Sequence, residues 1–213
     1  MSRQGLLLDV DPYARHDLDF YATPRWMVQA LLRRMYLAPG AVVCEPCVGD
    51  GAILRAISAE PDMDGLTFVT GDLVARDGHI PDVLGDATQL ATWRRLRATR
   101  GRITVTLTNP PFDVSFAILQ RALAASEHGV AILNRCTWIE PTDDRGEWLA
   151  KHPPSAQIVL PRWNFRSRDG KGGNDSAPPS WFVWNRKMRL IEKGIYVVTK
   201  AERDARVAEE RRG

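Results

Sequence analysis

Ile103-Thr104-Val105-Thr106-Leu107-Thr108-Asn109-Pro110-Pro111-Phe112 is the stretch on which the fold turns. Its first six residues are apolar or β-branched and read as a buried strand. A polar amide, two prolines and an aromatic ring follow at once. Proline fixes φ and lacks an N–H, so the pair makes a stiff, non-helical turn at the strand's carboxyl end. In an open α/β sheet, ligands bind at that edge. A turn held there can aim the Asn109 side-chain oxygen and the Pro110 carbonyl at one amino group. Phe112 can then stack on the ring that carries it. The device suits a planar substrate with an exocyclic amine, such as adenine.

On the N-terminal side, residues 41–45 read as a first core strand. The loop Pro46-Cys47-Val48-Gly49-Asp50-Gly51 leads into a helix over 52–59. Further strands are expected over 66–70, 80–84, 130–133, 157–160 and 181–184. Helices are expected over 24–35, with Thr23 as N-cap and Pro24 at its first position, and over 87–98, 116–126 and 147–151. Strand and helix alternate, which is the signature of a doubly wound, mostly parallel α/β sheet, with seven core strands and helices on both faces. A short extra strand is expected over 195–199. Residues 1–18 read as an irregular arm, 19–199 as a single domain and 200–213 as a charged tail or frayed helix. The glycine- and proline-rich stretch 162–180 reads as a flexible, functional loop.

At 213 residues and 44% apolar content the chain is long enough for one proper core. No apolar run reaches the length of a bilayer, and the N-terminus lacks a signal-peptide pattern, so a cytoplasmic protein is the expectation. Three cysteines make no disulfide framework. Cys44 and Cys47 form a C-x-x-C, but no second ligand pair of zinc-site spacing accompanies it, so no metal is expected. The net charge of +3 is a weak pointer to nucleic acid. Its distribution says more. Arg94, Arg95, Arg97, Arg100 and Arg102 form one cluster, either a solvated face or a polyanion contact. Arg186, Lys187 and Arg189 form another. Arg162, Trp163, Phe165, Arg166, Arg168 and Lys171 interleave cations with aromatics, as a loop gripping a nucleic-acid strand would. Trp138 and Trp181 are expected in the core or a pocket wall.

Carboxylates end the successive strands. Glu45 and Asp50 flank the glycine loop, whose G-x-G lacks the third glycine of the dinucleotide fingerprint and the lysine of a P-loop. Two acids beside the loop disfavour a pyrophosphate and favour a ligand bearing positive charge. Asp72, about twenty residues on, can accept from both hydroxyls of a ribose. Asp86 can accept from an adenine amino group.

In this order, Glu45 to Gly51, Asp72, Asp86 and Asn109 to Phe112 resemble the motifs of class I S-adenosylmethionine-dependent methyltransferases, in particular the N6-adenine DNA enzymes. Asp19-Phe20-Tyr21-Ala22-Thr23-Pro24 is similar to the segment that closes over the methionine part of the cofactor in that family. The resemblance covers residues 19 to 186. It implies a Rossmann-like methyltransferase fold whose last core strand is antiparallel, with S-adenosylmethionine as cofactor and DNA as partner. Tyr21 and Thr23 would contact the methionyl end. Glu45, Pro46, Gly49, Asp50 and Gly51 would line the amino-acid and sulfonium region. Asp72 would hold the ribose and Asp86 the adenine. Asn109 and Pro110 would bind the target amine, with Pro111 stiffening the turn and Phe112 stacking on a flipped-out base. A separate recognition domain, usual in restriction-type enzymes, is not expected after residue 186. The compact form resembles phage-type and mobile-element enzymes. RNA adenine or guanine and protein glutamine are the alternative substrates of such a turn. A catalytically idle nucleic-acid-binding protein of the same fold is the alternative of another class.

Overall fold

The computed structural model describes residues 21–76, 79–165, 177–187 and 189–212. Its centre is an eight-stranded sheet of order β3-β2-β1-β4-β5-β7-β6-β8. The strands are β1 (Val42–Glu45), β2 (Thr67–Asp72), β3 (Val83–Leu84), β4 (Val105–Thr108), β5 (Gly129–Arg135), β6 (Ala156–Val159), β7 (Pro179–Asn185) and β8 (Gly194–Val197). Strand β7 runs antiparallel to both β5 and β6, and every other pairing is parallel. The doubly wound sheet is therefore as expected, with one correction. The strand expected beyond the core joins the sheet beside β6, so the count is eight rather than seven. The third strand is also shorter than expected, only two residues, because Pro81, with no N–H to give a ladder, interrupts the run.

Side-chain parity explains the layers. Val43, Val105, Leu107, Ala131 and Leu133 face one side, where α1 (Arg25–Leu32) and α2 (Ala52–Ser58) cover them. Val42, Cys44, Val69, Val130 and Ile132 face the other, under α3 (Leu90–Arg100), α4 (Ser115–Ala125) and α5 (Gly146–Lys151). Alternate residues of one strand thus feed two cores, which is why the strands read as continuous apolar runs. Trp181 and Trp138 lie in these cores, as expected.

The charged C-terminal stretch forms a helix, α6 (Lys200–Glu210). Thr199 caps it by accepting from the Glu202 N–H at 3.1 Å. Arg34, two residues past the end of α1, and the buried Arg206 both pair with Glu202, at 3.2 and 2.6 Å, which ties α6 to the end of α1. Thr23, by contrast, does not cap α1. Pro24 occupies the N-cap position, and the Thr23 hydroxyl is engaged elsewhere.

Candidate active site

The parallel strands deliver their carboxyl ends to one edge, and the strand order reverses between β1 and β4. A crevice opens at such a switch point. Glu45 ends β1, Asp72 ends β2, Asn109 follows β4 and Arg135 ends β5.

The glycine loop is held by its neighbours. Gly49 and Gly51 have φ of +56° and +82°, values in the left-handed region that only glycine adopts cheaply. The Gly49 N–H donates to Asp72 Oδ2 at 2.8 Å, and the Val48 N–H to the Gly71 carbonyl at 2.9 Å. Asp72 thus pins the loop, a role beyond the ribose contact expected of it. Asp50 accepts from the Ala52 N–H at 3.0 Å and pairs with Arg55 at 2.8 Å. A side chain at Gly51 would crowd His79, whose Nδ1 would lie 3.3 Å from its Cβ.

Glu45 is buried, and its Oε2 has no hydrogen-bond partner. Burial first, then the charges of Asp50 and Asp72, hold its carboxyl well above the usual carboxylate range, with Arg55 opposing. An orphaned acceptor under an acidic, glycine-walled loop fits a cationic ligand group. Burial likewise pushes the Cys44 and Cys47 thiols up, helped by neighbouring carboxylates, which is the opposite of what a thiolate metal ligand requires. Asp86 is held below the usual range by the Thr88 N–H and hydroxyl, each donating to Oδ1 at 2.8 Å. The Gln89 side chain adds to the lowering, so Asp86 stays an anion.

The Asn109 amide donates through Nδ2 to Thr23 Oγ1 at 3.1 Å. Two segments singled out separately in the sequence, 86 positions apart, meet in this bond. With Nδ2 turned to Thr23, Oδ1 remains as an acceptor.

Sequence reasoning missed the support beneath the turn. The buried Ser115 hydroxyl donates to the Phe112 carbonyl at 2.8 Å. The same oxygen accepts from Asn134 Nδ2 at 3.0 Å and Trp138 Nε1 at 2.8 Å. All its hydrogen-bonding capacity is used, so the turn, the start of α4 and the end of β5 are locked together. The one available signal was Asn134, a polar residue directly after the apolar run 130–133. Also missed was Arg135, whose guanidinium lies over the Phe112 ring at 5.0 Å from its centre.

The expected nucleic-acid residues fall in different places. Trp163 packs edge-on against Trp26 with ring centres 5.7 Å apart. With Phe165 it walls a groove of about 670 Å³ shared with Thr23, Ala52 and Arg55. Both rings are partly buried against the α1 side of the core. Arg162 is exposed, and Tyr21 is half-buried. Arg166, Arg168 and Lys171 lie outside the described residues, as do Asp19 and Phe20. The other two basic clusters do not act as units: Arg95 donates to the Leu84 carbonyl at 2.8 Å, at the carboxyl end of β3. Arg100 and Arg102 donate to the Phe68 and Gly40 carbonyls, and Arg186 to that of Ser126, all at the amino edge of the sheet.

No protein-family model matches the sequence, and no curated protein does. Solved structures share the fold. The methyltransferase subunit of a type I restriction-modification system from Streptococcus thermophilus aligns at TM-score 0.55 and 14% identity, over 90% of this chain and 53% of that one. A protein named as a type I restriction-enzyme modification subunit, from Vibrio vulnificus YJ016, aligns at 0.56 and 14%, over 93% and 54%. The chain spans about half the length of these two. A protein named as a hemolysin, from Lactococcus lactis, aligns at 0.51 and 12%, over 88% and 98%. The likeness gives the chain a Rossmann-like methyltransferase fold. At these identities it carries the fold and no activity. Among the described residues no helix is long and apolar enough to cross a membrane.

Proposed function

We propose that the protein is an S-adenosylmethionine-dependent methyltransferase acting on the exocyclic N6 amine of adenine in DNA. The observation that carries this is the orientation of Asn109. Its Nδ2 is engaged by Thr23, which leaves Oδ1 as acceptor at the switch point of the sheet, beside an acidic glycine loop. Glu45, Asp50 and the loop glycines would take the cationic amino-acid end of the cofactor, Asp72 the ribose and Asp86 the adenine. Bound cofactor would supply an electrophilic methyl group on sulfur.

The chain's own residues then account for the rest. An adenine amine is a poor nucleophile because its lone pair is delocalised into the ring. Hydrogen bonds from its two N–H groups to Asn109 Oδ1 and the Pro110 carbonyl favour a pyramidal nitrogen and localise that pair. The nitrogen gains the methyl group and sheds a proton to water, so no strong general base is required. The Ser115 contact fixes the Phe112 carbonyl, and with it the ring that would stack on the base. Flipping a base out of a duplex costs a few kcal/mol. Stacking on one aromatic ring recovers roughly 1–3 kcal/mol, so phosphate contacts must contribute.

Methyl transfer from labelled S-adenosylmethionine to unmethylated DNA, with RNA and protein in parallel, tests the proposal. N6-methyladenine in the digested DNA is the expected product. Label confined to RNA or protein would move the substrate, and cofactor binding without label in any pool would favour a binding-only protein.

A further inference from the structure

Arg135 ends β5 one strand away from Asn109, and its guanidinium covers the Phe112 ring. Its backbone is fixed: the Arg135 N–H donates to Asn134 Oδ1 at 2.8 Å, and Asn134 belongs to the Ser115 junction beneath the turn. Its head is not. The side chain is half-buried, and among the described residues the guanidinium forms no ion pair and no hydrogen bond. The same edge of the sheet carries Glu45 and Asp72 at strand ends and Asp50 in the glycine loop, the last paired with Arg55. An uncompensated cation on a fixed root, laid over the ring expected to receive a base, has two chemistries open to it. A guanidinium stacks on aromatic faces, and its planar fork pairs bidentately with phosphate.

Resting on the nucleic-acid reading above, we infer that Arg135 binds the backbone phosphate next to the target nucleotide and covers Phe112 when no base is present. Base entry displaces the guanidinium from the ring, and the phosphate carried in with that base receives it. Arg135 is thereby a substrate-binding residue that couples ring exposure to phosphate capture. No covalent step is involved.

The test uses an oligonucleotide that the wild-type protein methylates, and a copy in which the phosphates flanking the target adenine are replaced one at a time by neutral methylphosphonate. Arg135→Gln and Arg135→Lys are compared with wild type for KM, kcat and cofactor affinity. Arg135→Gln should raise KM for the normal oligonucleotide about tenfold, leave cofactor affinity unchanged, and reduce the salt slope of binding by about one. One methylphosphonate should weaken wild type by a similar factor and leave Arg135→Gln unaffected, so the two changes fail to add. Arg135→Lys should lie between. Additive losses at every phosphate would overturn the inference and leave Arg135 as packing for Phe112. An unchanged KM would do the same. If wild type neither binds nor methylates any oligonucleotide, the nucleic-acid reading falls and this inference falls with it. Wild-type activity with an indifferent Arg135 defeats the inference alone.

Discussion

At the scale of single residues, the site depends on orienting groups whose types are ordinary. Asn109 is useful because Thr23 turns its amide. Asn109→Ala should abolish methyl transfer while cofactor affinity stays within about twofold, since the amide would act on the target alone. Thr23→Val keeps the shape and removes the acceptor. It should lower kcat by about 10- to 100-fold, the range expected when a catalytic group loses its alignment. Steady-state kinetics beside calorimetric cofactor titration separates the two effects, and an unaltered kcat in Thr23→Val would deny the bond its role. Glu45 gives a prediction in pH. Its folded-state pKa is raised by burial, so the folded protein holds a proton that the unfolded chain has released, and its contribution to stability falls as pH rises through that window. A bound cation reverses the shift. Cofactor binding should therefore release protons, and affinity should climb with pH below the free-state pKa. Calorimetry in buffers of different ionisation enthalpy reads this directly, and Glu45→Gln should abolish the release.

At the scale of elements, the molecule is held at junctions. Ser115 starts α4, yet its hydroxyl serves the turn before it and the strand after it. Ser115→Ala would strand the Asn134 and Trp138 donors in the interior, costing about 3 kcal/mol. Urea denaturation should show that loss, with kcat falling as the Phe112 turn loosens. The helix α6 is a second junction. Arg206 is only 4% exposed, two of its nitrogens have no partner, and among the described residues Glu202 is the carboxylate that pairs with it. Glu202→Gln should destabilise by about 2 kcal/mol, less than for a fully buried pair because Glu202 is 30% exposed. Urea denaturation reads that loss. For 200–213 composition left a tail and a frayed helix open, and the helix is the form observed, started by Thr199 accepting from the Glu202 N–H.

At the scale of the whole molecule, the sequence by itself determined the alternation of strands and helices, the acids at successive strand ends and the stiff turn after β4. Each is a local pattern. Parity along a strand, a glycine that must turn and a proline that cannot join a helix are written in neighbouring residues. Tertiary structure alone decided what those patterns meet. It brought Thr23 to Asn109 rather than to the start of α1, laid Arg135 on Phe112, and set Asp72 to holding the glycine loop. It added β8 to the sheet, and put Arg100, Arg102 and Arg186 at the amino edge while Arg95 reaches the carboxyl end of β3. The physical reason is common to all of these. A hydrogen bond between side chains far apart in the chain depends on strand order and on how two helices pack, and no periodicity in either segment encodes its partner.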